Sequence, residues 1–315
     1  MNFSTPPAAA DQSAPRISGT TSVYLIPGDP VAQVKAPELF NRVFARMGID
    51  AVLVPVRVKP ADIATFVRTA FLAENVRGMF IAIPHKAPLS ELVDICSREG
   101  QAAGAINGIR RNADGRLEGG LFDGAGFLGA LHWEGIAYAG RRVLVLGAGG
   151  GAAAIAAALA GSATPAADIA LFDPVPGKAE AIAARLRKVF DCRAHAVASS
   201  DPAGFDLVVN ASPLGMQAAD PVPCDVSRLD AHAAVVDILM KNQPTPLVRA
   251  TRARGMQAVT GFEMLIQQAP HYLEFFGHAE AAQAVRADGR FLREMIYPAE
   301  LAGEIQDRAA TPVAA

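Results

Sequence analysis

Short apolar runs alternate with amphipathic stretches from Ser22 onward. The runs SVYLIPG, DAVLVPVRV and GMFIAIP are typical of buried strands, and the stretches between them place apolar residues at the i, i+3, i+4 spacing of helices. A second series begins at RRVLVLG and continues through ADIALFD, RAHAVAS, FDLVVNAS, a run around Val235 and GMQAVTG. Continuous apolar runs of this kind indicate parallel strands that are buried on both faces. The pattern therefore predicts an α/β protein with two successive βαβ series.

Composition narrows the classes of partner and compartment. The 315 residues carry 29 Lys+Arg against 31 Asp+Glu, a formal net charge of −2, without a long basic run, so nucleic acid is a poor partner. Three cysteines without a CxxC pair argue against a structural metal and for a reducing compartment. The N-terminus lacks the apolar core of a secretory signal, and no apolar window is long enough to span a bilayer. We therefore expect a cytoplasmic protein that binds no membrane and no metal.

A glycine-rich turn follows the first strand of the second series. Its residues are Gly147, Ala148, Gly149, Gly150, Gly151 and Ala152. They form the Ala variant of G-x-G-x-x-G, between a strand pattern and an alanine-rich helix pattern. Backbone N–H groups and the helix dipole favour a pyrophosphate at such a helix start. We predict that a dinucleotide binds this turn, and a purely structural strand-to-helix turn is the alternative.

An acidic residue ends the next strand of the same series. Asp173 closes ADIALFD, 26 residues after Gly147, where a carboxylate can accept hydrogen bonds from the ribose hydroxyls of NAD and repel a 2′-phosphate. No arginine follows it, and Lys178 alone could reach such a phosphate. This placement predicts NAD in preference to NADP, while the alternative for Asp173 is a solvated turn residue.

Eight short motifs follow one another along the chain. They are GDPVAQVKAPELFN (28–41), GMFIAIPHK (78–86), AAGAINGI (102–109), GGLFDGAGF (119–127), LGAGGGAAA (146–154), DLVVNASPLGM (206–216), VVDILMKNQPTPLV (235–248) and GFEMLIQQA (261–269). Their order and spacing resemble the shikimate and quinate dehydrogenase family, over about residues 22–298. The resemblance implies an N-terminal α/β substrate-binding domain, a Rossmann-type NAD(P)-binding domain, and a C-terminal helix that returns to the first domain.

The resemblance and the hydropathy pattern together predict a division of the chain into five segments. These are a disordered leader (1–19), a substrate-binding and catalytic domain (20–128), a Rossmann domain (129–262), C-terminal helices packed back on the first domain (263–302) and a flexible tail (303–315).

The resemblance also implies roles for individual residues. Lys86 is the acid/base of a hydride-transfer reaction, and Asp123 is its partner and hydrogen-bonds the substrate hydroxyl; both can face a cleft between the domains. Asn107 and Gln268 match positions that contact the substrate. The alternatives are a solvated lysine, a turn aspartate and two amides bonded to backbone. The implied cofactor-binding residues are Gly147, Ala148, Gly149, Gly150, Gly151, Asp173, Asn210, Ser212 and Gly261.

Several polar positions of the family pattern carry apolar residues in this chain. The substrate positions affected are Val34, Ala36, Phe80, Ala82, Phe122 and Met240. The resemblance implies that serine hydroxyls at the first two positions bind the substrate carboxylate. A polar group left without its partner costs about 1–3 kcal/mol, so shikimate is expected to bind poorly. Lys35 or Gln33 could supply another anchor, and a solvated Lys35 is the alternative.

The sequence thus predicts an NAD(P)-dependent oxidoreductase that acts on a secondary alcohol or ketone of a small cyclic substrate. A shikimate or quinate dehydrogenase with unusual carboxylate recognition is one alternative, and a nucleotide-binding regulatory module without catalysis is another. Apolar helix faces in the first domain would also suit a homodimer.

Overall fold

The computed structural model describes residues 17–305. Within it the chain separates into two compact units that meet in sequence between Pro84 and His85. The predicted α/β class is confirmed, and the predicted domain boundaries stay predictions. Most of the predicted leader and tail lies outside the described residues. No helix in the described range is long and apolar enough to cross a membrane.

The first unit contains three parallel strands and two helices. Its elements are β1 (Ser22–Gly28), α1 (Ala36–Arg46), β2 (Ala51–Arg57), α2 (Ile63–Ala70) and β3 (Val76–Phe80). The strands run in the order β2-β1-β3, and β1 pairs in parallel with both neighbours. Tyr24, Phe40, Phe44 and Phe80 form its aromatic core, in which the Phe40 and Phe80 rings lie 4.5 Å apart.

The second unit begins with short elements. They are α3 (Lys86–Ser90), β4 (Ile95–Cys96), α4 (Arg98–Ala103), β5 (Gly108–Arg111), β6 (Leu117–Gly120) and α5 (Asp123–Glu134). Strand β6 pairs antiparallel with β5 and parallel with β4. Two residues join the β5–β6 hairpin to α5, so the first residue of α5 lies three positions after the end of β6.

A six-stranded parallel sheet forms the centre of the second unit. Its elements are β7 (Arg142–Leu146), α6 (Gly150–Gly161), β8 (Asp168–Phe172), α7 (Lys178–Val189), β9 (Ala194–Ala196), β10 (Leu207–Asn210), β11 (Ala234–Asp237), α8 (Pro246–Ala253) and β12 (Ala258–Thr260). The strand order is β12-β11-β10-β7-β8-β9, with every adjacent pair parallel. The order reverses direction beside β7, and ligands of open α/β sheets bind at such a switch point.

Three helices complete the second unit: α9 (Phe262–Phe275), α10 (Ala279–Ala287) and α11 (Arg290–Ile296). A buried ion pair joins two of them, because the Arg293 guanidinium contacts both Glu263 carboxylate oxygens, at 2.5 and 2.9 Å. The same guanidinium stacks 3.8 Å from the centre of the Trp133 ring on α5. These contacts fix the start of α9 against α5 and α11.

Candidate active site

Lys86 and Asp123 form an ion pair in the second unit. Lys86 is the first residue of α3 and Asp123 the first of α5, and Lys86 Nζ donates to Asp123 Oδ2 over 2.6 Å. The two side chains keep 29% and 16% of their surface exposed, so solvent or a ligand can reach the pair. A charge-assisted contact of this length couples the two groups tightly.

Two amide side chains stand around this ion pair. Gln268 on α9 donates from Nε2 to the second carboxylate oxygen of Asp123, over 2.7 Å. Asn107, just before β5, accepts at Oδ1 from the backbone N–H of Phe122 over 2.9 Å. All four polar residues that the sequence predicted for the reaction therefore lie in one corner, which we call the Lys86–Asp123 corner. Their predicted roles stay predictions.

Close helix packing determines where Asp123 lies. A Cβ atom at Gly124 would come within 2.3 Å of the Ala154 carbonyl oxygen on α6, and one at Gly126 within 2.4 Å of the Met264 carbonyl oxygen on α9. Only glycine allows α5 to approach both helices this closely. The DGAG sequence thus fixes the start of α5 between α6 and α9 and brings Asp123 to Gln268.

The charge of Lys86 decides the protonation state of Asp123. Burial would raise the pKa of the carboxyl, but the Lys86 ammonium and the hydrogen bonds from Lys86 and Gln268 outweigh burial, and the pKa is lowered. Asp123 is consequently a carboxylate at every pH near neutrality, and it can accept a hydrogen bond but cannot donate one.

The glycine turn between β7 and α6 has the shape of a phosphate-binding loop. Gly147 has a φ of 101°, and a Cβ atom there would lie 2.8 Å from the Ala211 carbonyl oxygen, so only glycine fits. At Gly149 and Gly150, by contrast, a Cβ atom would meet no described atom within 4 Å. Open space therefore lies over the first turn of α6, where N–H groups and the helix dipole suit a pyrophosphate.

Asp173 is bonded to the glycine turn. Its Oδ2 accepts from the Ala148 N–H over 2.8 Å, and its Oδ1 accepts from the Val175 N–H over 2.9 Å. Asp173, Val175 and Gly177 also line a cavity at the ends of β8 and β9. Both carboxylate oxygens of Asp173 thus accept hydrogen bonds from backbone N–H groups, an arrangement that the sequence did not predict.

The other predicted cofactor residues support the loops after β10 and β11. Asn210 accepts at Oδ1 from the Ser212 hydroxyl over 2.7 Å and donates from Nδ2 to Asp237 over 3.1 Å. Thr245 donates from Oγ1 to the other Asp237 oxygen over 2.7 Å. A Cβ atom at Gly261 would lie 2.6 Å from the Ile238 Cα, so glycine permits the close approach of α9. This network fixes the loops at the carboxyl edge of the sheet.

The predicted substrate positions of the first unit differ in exposure. Val34 and Ala36 are half-buried before and at the start of α1, and Ala82 is buried after β3. Phe80 is 1% exposed in the aromatic core, which leaves no surface with which to contact a substrate. Lys35, suggested as an anchor, pairs with Glu38 at 3.3 Å.

Two predicted substrate positions lie in the second unit. The Phe122 ring packs against Tyr272 and Phe275, with ring centres 4.7 and 5.1 Å apart. A Cβ atom at Gly120 would lie 2.5 Å from the Phe122 ring, so that glycine admits the aromatic side chain. Met240, after β11, is 36% exposed.

Tyr272 is a residue of the corner that the sequence did not predict. Its hydroxyl donates to the Asn107 carbonyl oxygen over 3.1 Å, and it follows Gln268 by four residues on α9. Burial, with a smaller contribution from the Asp123 charge, raises the pKa of Tyr272 well above its usual value. The i, i+4 spacing from Gln268 was the signal that could have found it.

Known proteins of one family match this chain. Residues 26–109 match the family model of the shikimate dehydrogenase substrate binding domain. The shikimate dehydrogenase (NADP(+)) of Rubrobacter xylanophilus is 37% identical over 263 residues, 81% of this chain and 90% of that protein. Seven further relatives, 33–36% identical, carry the same name.

Two solved structures share the fold. Shikimate 5-dehydrogenase from Listeria monocytogenes, in complex with shikimate and NAD, matches with a TM-score of 0.77 and 25% identity, over 86% of this chain and 98% of that one. The 5-ketofructose reductase of Gluconobacter sp. strain CHM43 matches with a TM-score of 0.75 and 27% identity, over 85% and 99%.

The predicted preference for NAD over NADP is wrong. The relatives reported at 33–37% identity are all named as NADP(+) enzymes. The prediction depended on an Asp173 carboxylate free to bind ribose hydroxyls, whereas both of its oxygens bond to backbone N–H groups of Ala148 and Val175. A carboxylate that holds the glycine turn does not report which nucleotide binds.

The sequence identity and the shared fold together show the family to which the chain belongs. The relatives cover at least 78% of this chain at 33–37% identity, and the solved relatives have the same two-part α/β fold. The chain belongs to the shikimate dehydrogenase family and is an NAD(P)-dependent oxidoreductase.

Proposed function

We propose that the protein transfers a hydride between NADP and the secondary alcohol or ketone of a small cyclic substrate, with Lys86 and Asp123 as the acid–base pair. The observation that carries the proposal is the 2.6 Å contact between Lys86 Nζ and Asp123 Oδ2 in a corner that remains partly exposed. An exposed surface ion pair would contribute little to stability, whereas this pair is anchored by Gln268 and by close helix packing.

The chemistry divides between the cofactor and the chain. The nicotinamide, when bound, accepts or supplies the hydride at the reacting carbon. As the neutral amine, Lys86 takes the proton from the hydroxyl during oxidation, and as the ammonium it gives a proton to the ketone oxygen during reduction. Asp123, held ionised, accepts a hydrogen bond from that hydroxyl and keeps the Lys86 ammonium beside the oxygen. Gln268 donates a hydrogen bond to Asp123 Oδ1 and so holds the carboxylate in place.

The substrate is proposed to differ from shikimate at its far end. The reacting corner keeps its four polar residues, while Val34, Ala36 and Met240 carry no hydroxyl. Lys35, the nearest cation in sequence, already pairs with Glu38. A reductase of this fold is named for 5-ketofructose, a ketone without a carboxylate. These observations favour an uncharged polyhydroxy ketone or alcohol over a carboxylic acid.

Shikimate or quinate remains the second candidate. The names of the relatives at 33–37% identity favour it. In that case another group must bind the carboxylate in place of the two serine hydroxyls.

Lys178, at the start of α7 beside the cavity of Asp173, is proposed to bind the 2′-phosphate of NADP.

The test is a substrate screen with a lysine variant. Purified protein is assayed for oxidation of shikimate, quinate and cyclitols with NADP⁺, and for reduction of 5-ketofructose with NADPH. On the best substrate, Lys86→Met should lower turnover by about 10²–10⁴ while NADPH binding, followed by fluorescence, stays within about threefold. Lys188→Met, an exposed lysine on α7, is the matched control and should behave as wild type.

Each outcome separates the candidates. Preference for an uncharged substrate supports the proposal, and preference for shikimate or quinate supports the second candidate. Full turnover by Lys86→Met would place the proton carrier elsewhere. NADPH binding without turnover of any compound would favour a regulatory module. The cytoplasmic location and the homodimer stay predictions, and light scattering of the purified chain tests the latter.

A further inference from the structure

Tyr272 contacts the corner through the backbone of Asn107. Its side chain is 6% exposed on α9, its hydroxyl donates to the Asn107 carbonyl oxygen over 3.1 Å, and its ring meets the Phe122 ring edge to face. A tyrosine hydroxyl in a buried position needs a hydrogen-bond partner, and here the partner is the backbone of a residue in the reacting corner.

The contacts of Tyr272 close a ring of interactions. Asn107 accepts from the Phe122 N–H over 2.9 Å, and Phe122 precedes Asp123 in the chain. Asp123 accepts from Gln268 over 2.7 Å, and Gln268 lies one helical turn before Tyr272 on α9. A shift of any member of this ring therefore changes the position of Asp123 or of the Asn107 amide.

Within this ring of interactions, the Asn107 side-chain amide has an N–H donor that is not used. Its Nδ2 is buried and lies near enough to Asp123 to help lower that carboxyl's pKa, yet it makes no hydrogen bond of good geometry with any residue from 17 to 305. A buried donor without a partner is costly unless a ligand satisfies it. The direction of the Nδ2 donor depends on three groups that hold Asn107. They are the Phe122 N–H, the Tyr272 hydroxyl and the Gly120 carbonyl oxygen, which accepts from the Asn107 N–H over 2.9 Å.

We propose that Tyr272 is a positioning residue of the reaction, acting through Asn107 to aim the Nδ2 donor beside the Lys86–Asp123 pair. The proposal rests on the proposed function of that pair. Groups of an active site must be held within about half an ångström of their productive geometry, and a small displacement lowers turnover severalfold or more. Tyr272 supplies one of the three hydrogen bonds that hold Asn107.

A second tyrosine provides a matched control. Tyr297 donates from its hydroxyl to Glu263 on the same helix α9, over 3.3 Å, within the buried ion pair with Arg293. Tyr272→Phe and Tyr297→Phe each remove one hydroxyl that makes a hydrogen bond on or beside α9 and leave the ring in place. A purely structural role predicts the same behaviour for both variants: a lower melting temperature and unchanged kinetics.

The experiment compares both variants with wild type at 20 °C, with shikimate and NADP⁺ and with 5-ketofructose and NADPH as probes. Tyr272→Phe should lower kcat about three- to tenfold on the better probe, with the KM for the nucleotide changed less than twofold. Tyr297→Phe should keep kcat within about 1.5-fold of wild type. Equal kcat values for the two variants, or a fall confined to the melting temperature, overturn the proposal.

A double variant tests the route through Asn107. Asn107→Ala keeps the backbone carbonyl that Tyr272 binds but removes the amide that Tyr272 is proposed to aim. Tyr272→Phe should therefore cause no further loss of kcat in the Asn107→Ala background. Additive losses would show that Tyr272 acts by another route. Lys86→Met separates the two proposals: if it loses turnover while Tyr272→Phe matches Tyr297→Phe, only the positioning role fails. If Lys86→Met is active, or neither probe is turned over, both fail.

Discussion

Two aspartates of the second unit, Asp123 partly exposed and Asp237 fully buried, have pKa values shifted in opposite directions. Asp123 opens α5 and Asp237 ends β11, and burial favours the neutral acid at both sites. The pKa of Asp123 is nevertheless lowered, because the Lys86 ammonium lies 2.6 Å away. The pKa of Asp237 is raised, because its partners, Thr245, Asn210 and a backbone N–H, are neutral and do not offset burial.

The difference separates the carboxylate of the proposed reaction from a structural one. Neutral donors satisfy the hydrogen-bonding capacity of Asp237 and fix the loops after β10 and β11, but they do not supply a compensating charge. A single cation at Asp123 compensates for burial and at the same time supplies an exchangeable proton. The chemistry of the corner therefore depends on Lys86 more than on burial.

Removal of the Lys86 cation should have the largest effect, because the pKa of Asp123 should then shift in the same direction as that of Asp237. In Lys86→Met the Asp123 carboxyl keeps its burial without its charge partner, so its pKa should rise above the ordinary value, as at Asp237. An unpaired, partly exposed carboxylate should cost about 1–3 kcal/mol of unfolding free energy at pH 7, less than for a fully buried pair. Chemical denaturation at pH 7 measures this loss, and ¹³C NMR of the Asp123 carboxyl follows its titration.

A double variant sharpens this result. Lys86→Met with Asp123→Asn removes both charges and keeps the Gln268 contact to the side-chain oxygen, so most of the lost stability should return. Equal stability of the single and double variants would mean that the loss came from packing of the lysine stem and not from an uncompensated charge.

Loss of a neutral donor at Asp123 should have a smaller effect. Gln268→Leu removes the hydrogen bond to Oδ1 but leaves Lys86 in place, so the carboxyl should stay ionised near neutral pH. A lost hydrogen bond to a charged group corresponds to about a tenfold decrease in kcat. Steady-state kinetics on the substrate found in the screen measure it. A decrease as large as that of Lys86→Met would contradict the primary role of the cation.

The sequence predicted the fold because the fold depends on periodic apolar patterns. The run RRVLVLG predicted β7 and the glycine turn, and the observed strand Arg142–Leu146 and helix Gly150–Gly161 lie there. The positions of Lys86, Asn107, Asp123 and Gln268 were found by resemblance of motifs. Their convergence depends on contacts between distant helices, which no local pattern specifies.

The side-chain placements that the sequence did not predict share a physical origin. Asp173 bonds to Ala148 across neighbouring strand ends, and Phe80 fills an aromatic core, so in both cases a tertiary contact decided the orientation of the side chain. Tyr272 reaches Asn107 across 165 positions of sequence. Residue type and spacing do not determine such through-space partners, although the i, i+4 spacing from Gln268 places Tyr272 on the same face of α9.

The contribution of Asp123 to folding stability should be measurable at acidic pH. Its pKa is lowered on folding, so its contribution to stability is present above the unfolded value of about 3.9 and is lost as pH falls through the lower folded value. Asp123→Asn should therefore lose less stability than wild type between about pH 4 and pH 2. Urea denaturation of both proteins across this range measures the difference in slope. Parallel curves would show that the carboxylate gains nothing from Lys86.

The contribution of Asp237 to folding stability should change with pH in the opposite direction to that of Asp123, and by the smallest amount. Its pKa is raised on folding, so the folded state favours the neutral acid, and stability from this group declines as pH rises from the unfolded value through the higher folded value. Asp237→Asn is nearly isosteric: its oxygen can accept from Asn210 and from the Leu239 N–H, and its amide can donate to Thr245. The variant should gain stability relative to wild type as pH rises from about 3 to 7, by about 1 kcal/mol or less. Urea denaturation at these two pH values measures the change, with turnover within about twofold of wild type as the control. A relative loss of stability on raising the pH would show that Asp237 is held ionised like Asp123, and that neutral donors alone can offset its burial.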